Sequence, residues 1–246
     1  MCILALLYRV AEEAPVIAAA NREEYYARGG DPPRVLLGSI PALCGIDPHA
    51  GGTWLGVNAA GLLVAVTNRH KTRSPSSPRS RGLLVRDLLV EETSARQAAQ
   101  RAMDELSQEA YLGCNLVVAD ARSATVLHGG EWLRVHPLPP GLHILTNGDI
   151  NDERDPRIRR AADLLAARPR SSPLDWVNAL QEVCAYTGPE PPAICWRDAD
   201  RGTVSSSIVA VSEQADASLY LHAQGPPDRV PYQDYSDLLR EIRRRR

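Results

Sequence analysis

The sequence predicts an α+β protein in which antiparallel sheets are covered by helices. Three observations carry this expectation. Apolar strand-like segments come in hairpin-like runs, segments with helical periodicity come in pairs, and the two kinds do not alternate strictly as a parallel sheet would require. Residues 1–9 and 15–20 read as two short buried strands joined by a polar turn at Glu12 and Glu13. Residues 53–57 and 62–67 form another pair around a hairpin at 58–61, and residues 71–81, rich in Ser, Pro and basic side chains, read as a loop. Amphipathic helices follow at 82–91 and 94–106, the second with Ser94 as N-cap. Strands are expected at 115–119, 125–127, 132–135 and 142–146. Helices are expected at 156–167 and 174–186, with Pro173 near the start of the latter and Gly188 past its end. Two strands, 207–211 and 218–222, precede a last short helix from Tyr235. No repeat and no break in composition divides the chain, so one domain over 1–246 is expected.

With 246 residues the chain is long enough to bury a sizeable core, and its 44% hydrophobic and 24% charged residues are those of an ordinary globular protein. A net charge of −2 argues against general affinity for nucleic acid or anionic membranes. The closing run Arg243 to Arg246 is a basic tail, most often a solvated end. The chain has no Phe, so four Trp and eight Tyr must build its aromatic interior, and their polar tips favour positions at a pocket or its rim. Five cysteines without CxxC spacing suit reduced thiols better than a disulfide framework. Val16 to Ala20 superficially resembles a signal cleavage site, but no basic region precedes it, and Arg9, Glu12 and Glu13 interrupt the apolar stretch. The expectation is a cytoplasmic protein with no export signal and no membrane span.

The most informative residue is Cys2. Removal of Met1, which a small second residue favours, places a thiol and a free α-amine on one residue. An α-amine titrates at roughly 7.7–8.0 and can act as base for its own thiol. Taken alone, Cys2 reads more simply as a small apolar residue opening a buried strand. Three further segments set polar residues at strand ends. In Asn21-Arg22-Glu23-Glu24-Tyr25, the arginine can hold a thiolate or a carboxylate, and Glu23 or Glu24 can orient it or bind an amine, the alternative being a surface ion pair. In Gly51-Gly52-Thr53-Trp54-Leu55-Gly56-Val57-Asn58, continuing to Thr67-Asn68-Arg69, the glycines permit close backbone approach, and Trp54 offers a flat wall. In His143-Ile144-Leu145-Thr146-Asn147-Gly148, an amide ends a strand, as oxyanion-hole donors do, though an Asn-Gly turn is the simpler reading.

The order Met-Cys, Asn-Arg-Glu-Glu, Ala-Gly-Gly-Thr-Trp-Leu-Gly-Val-Asn, Thr-Asn-Arg, Leu-Thr-Asn-Gly and the Gly-Thr to Ser-Ser run at 202–207 resembles the NRDE family, also called the transport and Golgi organisation family. That family in turn is similar to cysteine N-terminal nucleophile hydrolases of the choloylglycine hydrolase and penicillin V acylase branch. The resemblance implies a four-layer αββα sandwich: two antiparallel sheets face to face with helix layers outside. It also implies Cys2 as nucleophile, Arg22 beside it, the Asn68 backbone N–H and the Asn147 side chain as oxyanion donors, and Arg157 as a later arginine of the site. Glu23, Glu24, Trp54 and Asn58 are the candidate substrate-binding residues. There are departures from the pattern. The family's Asp is Glu23 here, the acylases' carboxylate three residues after the arginine is Tyr25, and Ile46 and Val204 stand where arginines are frequent.

The function so implied is cleavage or transfer of the acyl group of a small amide or thioester through Cys2, with no cofactor and no metal. Hydrolysis and acyl transfer to another acceptor both remain open, as does the oligomeric state. The other class of reading is a non-catalytic haem- or lipid-handling protein on the same fold, for which Cys2 and six His supply possible axial ligands but no CxxCH and no paired spacing. Zinc chemistry and nucleic-acid binding find no ligand cluster and no extended basic patch.

Overall fold

A computed structural model of the chain describes residues 2–108, 110–167, 172–189 and 191–244. Met1, which opens the first predicted strand, lies outside them, as do Arg245 and Arg246. The alternation of side chains along the first two strands explains the architecture. In β1 (Ile3–Ala11), Ile3, Ala5 and Leu7 pack toward helices while Leu4, Leu6 and Tyr8 pack toward a second sheet. In β2 (Ala14–Tyr25), Val16, Ala18 and Ala20 join the inter-sheet core and Ile17 and Ala19 the helix-facing one, so both strands read as continuously apolar.

The remaining elements complete two antiparallel sheets. The strands are β3 (Asp31–Leu36), β4 (Ala42–Ile46), β5 (Leu55–Asn58), β6 (Leu63–Asn68), β7 (Cys114–Ala119), β8 (Ala124–Gly129), β9 (Leu133–Pro137), β10 (Gly141–Leu145), β11 (Arg201–Val211), β12 (Leu219–Ala223) and β13 (Gln233–Asp234). The first sheet has the order β10-β1-β2-β11-β12-β13, and the second runs β3 to β9 in chain order. Helices α1 (Arg81–Glu91) and α2 (Ala95–Ser107) cover the outer face of the second sheet. On the first sheet, α3 (Pro156–Ala166) and α4 (Pro173–Cys184) do the same. The four layers are therefore helix, sheet, sheet, helix, as expected. A last helix, α5 (Ser236–Arg244), sends Leu239 and Ile242 into the inter-sheet core.

Local chemistry sets the helix starts. The Ser94 hydroxyl accepts from Gln97 N at 3.3 Å, and Ser172 and Asp175 form a reciprocal capping box ahead of Pro173. Strands β3 and β4 were not predicted. Pro32 and Pro33 disguise β3, yet it is an edge strand whose register slips between Asp31 and Arg34, where missing N–H groups are tolerated. The basic tail is not simply solvated: Arg243 donates to Ser212 O at 2.7 Å, and Arg244 pairs with Asp216. All five cysteines are free, and no helix among the described residues is long and apolar enough to cross a membrane.

Candidate functional site

Ladder register assembles the site. Ile3 lies opposite Asn21 and Leu4 opposite Leu145, so extending β1 toward its start sets Cys2 between Arg22 of β2 and Asn147, just beyond β10. Ser205 of β11 lies opposite Arg22 on the far side. Directly paired residues of antiparallel strands share a face. The row Asn147, Cys2, Arg22, Ser205 thus continues the inter-sheet face of Leu4, Leu6, Ala20 and Leu145 at the rim of the sandwich.

A cavity of about 230 Å³ opens over Cys2, walled by Arg22, Glu23, Glu24, Arg28, Asp47, Thr53, Trp54, Asn68 and the start of α1. The Arg22 guanidinium lies 4.4 Å from the centre of the Trp54 ring and donates to Gly29 O. The ring fits because position 45 is glycine: a Cβ there would come within 2.7 Å of Trp54 Cζ2. A Cβ on Gly52 would collide with the backbone of Gly82, and Thr53 N donates to Gly82 O at 3.0 Å, so the Gly-Gly pair brings α1's first turn against the cavity. Along β6, Val66 N donates to Trp54 O at 2.9 Å and Arg69 N to Gly113 O at 3.0 Å. Alternation therefore turns the Asn68 N–H to the Val66 side, where β5, whose first residue Leu55 pairs with Ala65, offers no opposite strand.

Charge in the site is arranged in pairs. Arg28 donates to Asp47 at 2.7 Å and approaches Glu24 at 3.6 Å. Burial works against the Asp47 carboxylate, but Arg28 and the His49 N–H outweigh it and hold its pKa below the usual range. Arg157 grips the fully buried Glu23 carboxylate with both Nη atoms, while also donating to Ala193 O at 3.2 Å and Ile194 O at 3.0 Å. Burial pushes the Cys2 thiol above its ordinary value, and the Glu23 charge adds to the rise. Arg22 counters it, although burial lowers the pKa of Arg22 itself.

Asn147 is held through its neighbours. Thr67 Oγ1 donates to Thr146 O at 2.6 Å, and Arg69 Nη1 donates to Gly148 O at 2.8 Å. Asn115 Nδ2 reaches Thr146 O at 3.3 Å and Gly148 O at 3.0 Å, while its Oδ1 sits 2.6 Å from His128 Nδ1. Residues of the second sheet thus brace the turn that ends β10. The buried Asn147 Oδ1 has no hydrogen-bond partner among the described residues. Asn147 and Arg157 line a neighbouring cavity of about 660 Å³ that does not include Cys2.

The structure therefore brings Cys2, Arg22, Glu24, Trp54 and Asn68 to one cavity and sets Asn147 in register beside Cys2. Two expectations need correction. Glu23 contributes to the wall, but its carboxylate is occupied by Arg157, so it is not disposed to bind substrate. Asn58 is not at the cavity: Nδ2 donates to Leu89 O at 2.9 Å and Glu92 O at 2.8 Å, and Oδ1 accepts from Ala60 N and Leu62 N. That amide closes the β5–β6 hairpin and ties it to the end of α1. Tyr25, in place of the acylases' carboxylate, is exposed, and Val204 sits at a bulge of β11. Of the groups weighed as haem ligands, only Cys2 lines the cavity, and no cluster of three His, Cys, Asp or Glu that could hold a metal occurs among the described residues. Sequence reading missed Asp47, Arg81 and Asn115, whose roles depend on contacts between distant segments.

Solved structures share this fold. A mutant conjugated bile acid hydrolase from Clostridium perfringens superposes with a TM-score of 0.62 at 12% identity, covering 96% of this chain and 93% of that one. A Caenorhabditis elegans orthologue of N-acylethanolamine-hydrolyzing acid amidase gives 0.58 at 14% identity, covering 85% and 92%. Penicillin V acylase from Agrobacterium tumefaciens gives 0.57 at 14% identity, covering 91% and 83%. In sequence, the chain is 31% identical over 140 residues to the mouse transport and Golgi organization 2 homolog, covering 54% of this chain and 50% of that protein. The human homolog is 30% identical over 140 residues with the same coverage. The chain thus spans about half the length of the curated relatives it matches. The profile of the family described as Transport and Golgi organisation 2 matches residues 1–185, and the chain belongs to that family.

Proposed function

We propose that this protein is a cysteine N-terminal nucleophile hydrolase that cleaves or transfers the acyl group of a small amide or thioester. The observation that carries the reading is the row Asn147, Cys2, Arg22 in ladder register, with Cys2 and Arg22 lining one cavity and Asn147 the cavity next to it, on a fold shared with a bile acid hydrolase, an acid amidase and a penicillin acylase.

Removal of Met1 frees the Cys2 α-amine, which takes the thiol proton directly or through water. The thiolate attacks the carbonyl carbon, and the developing oxyanion accepts from the Asn68 N–H and the Asn147 amide. Collapse breaks the carbon–nitrogen bond, the amine leaves with the proton, and a thioester remains on Cys2. Attack by water then releases the carboxylic acid and returns the proton to the cysteine; another nucleophile in place of water gives transfer. Arg22, beside the sulfur in the row, favours the thiolate against the effects of burial and Glu23.

Intact mass spectrometry tests this. Protein from its native host is expected to lack Met1 and to gain an acyl mass on exposure to activated amides, with no adduct on Cys2→Ala. Full retention of Met1 removes the self-base mechanism. A Cys2-dependent Soret shift on haem titration without any acyl adduct would replace it with the haem-handling reading.

A further inference from the structure

Among the described residues, four arginines line the Cys2 cavity, and two of them are matched with carboxylates. Arg28 is paired with Asp47 and Glu24. Arg79 is held from outside the cavity by Asp87, by Glu105 at 3.0 Å and by the Tyr111 hydroxyl. The third cavity carboxylate, Glu23, is gripped by Arg157. Arg22 and Arg81 remain. Each donates to a backbone carbonyl, Arg22 to Gly29 O and Arg81 to Gly113 O at 2.8 Å, and neither has a carboxylate within ion-pair distance among the described residues. Arg22 belongs to the Cys2 row, beside the sulfur. Arg81 is the first residue of α1, on the wall built by the second sheet, and the Ser80 side chain does not cap the helix there. A half-buried guanidinium stays charged, and a helix start adds partial positive charge in the same direction. Ala50, Val66, Pro78 and Leu112 supply apolar surface to the same cavity.

We propose that Arg81 anchors a carboxylate carried on the acyl portion of the substrate, so that the protein acts on small acidic acyl compounds such as monoamides of short dicarboxylic acids. The proposal rests on the hydrolase reading for the reaction but not for the binding. The cavity, at about 230 Å³, is below the size that takes drug-sized ligands and suits a short chain with one charged end. Because Arg81 and Cys2 line the same cavity, a short chain held in it can present its carboxylate to Arg81 and its scissile carbonyl to Cys2. Neutral acyl groups of equal length leave the Arg81 charge without a partner.

The test compares the 4-nitroanilides of succinic acid, as its monoamide, and of butyric acid on protein shown by mass to lack Met1. The two probes share a leaving group and a chain length. The expected result is a kcat/KM for the succinyl probe at least about tenfold above that for the butyryl probe, the size of one charge-assisted hydrogen bond. This ratio should collapse toward one in Arg81→Gln and be partly kept in Arg81→Lys, with melting temperatures checked for both. Equal rates for the two probes in the unmodified protein, or a preference that survives Arg81→Gln, overturn the proposal and leave the hydrolase reading standing. If neither probe reacts, the hydrolase reading fails for these acyl groups, and calorimetry of succinate on Cys2→Ala decides the anion site separately. Succinate binding lost in Arg81→Gln supports it, whereas no binding overturns it. Inorganic phosphate binding more tightly than succinate would assign Arg81 to a phosphoryl group and overturn the carboxylate.

Discussion

The sheet β10-β1-β2-β11 delivers Asn147, Cys2, Arg22 and Ser205 to the site through one row of ladder register, whereas the β3-to-β9 sheet delivers Asp47, Trp54 and Asn68 from strand ends and loops. The row cannot shift by one residue without turning its side chains to the helix-facing side. Loops and strand ends carry no such constraint, so the second sheet fixes its contribution with polar contacts: Arg28 on Asp47, Trp54 on Arg22, and Thr67, Arg69 and Asn115 on the carbonyls flanking Asn147. Placement of Cys2 is thus a backbone property, and placement of what surrounds it is a side-chain property.

If that division is right, the largest effect comes from breaking the ion pair behind the row. Glu23→Ala strands the Arg157 charge in a buried setting and should cost about 3–5 kcal/mol in a urea melt, while also lowering the Cys2 thiol pKa toward its ordinary value. A double variant with Arg157→Met should recover much of the stability. Loss of stability without any change in thiol reactivity would show that Glu23 does not act on Cys2.

Asn147→Ala removes the row's proposed oxyanion donor and should raise the barrier by about 2.7–4 kcal/mol, a rate loss of roughly a hundredfold or more. A normal rate would separate Asn147 from the chemistry.

The brace gives the third effect. Burial, with the Arg69 charge adding to it, holds His128 at a pKa of about 4. His128 is neutral in the fold, and the unfolded chain takes up the extra proton as pH falls through about 6.5 toward 4. The resulting stability is complete above that window and lost within it, by at most about 3 kcal/mol. Thermal melts between pH 7 and 4 should show this loss, and His128→Gln should flatten it; an unchanged slope would dissociate the brace from the pH response.

The smallest effect is expected for Trp54→Leu. The guanidinium loses about 0.5–2 kcal/mol of cation–π attraction, and kcat/KM for an activated amide should fall by a few-fold to about thirtyfold. A larger loss would mean that Trp54 contacts substrate directly.

The strand ends that carry Cys2, Arg22 and Asn147 were legible in the sequence because strand patterning is a local signal, while their grouping into one site came from the family resemblance, and Ser205 was not singled out. The Ser94 cap and Pro173 start were legible for the same reason. Asn58 was misread because the chemistry that suits an amide to a ligand also suits it to a hairpin, and only the distant end of α1 decides between them. Pro32-Pro33 concealed an edge strand. Arg81 lay at a helix boundary beside a basic loop, and nothing local distinguishes its guanidinium from the paired ones. Asn115 opened a predicted strand, but the carbonyls it braces lie some thirty positions away.

The position of Cys2, one residue ahead of β1 and flanked by Arg22 and Asn147, bears on how the protein is handled at the bench. A purification tag fused ahead of Met1 keeps the α-amine of Cys2 in a peptide bond. On the proposed mechanism, such a preparation is expected to show no amide cleavage. An activity screen needs its handle at the other terminus, or a protease site that leaves cysteine as the first residue.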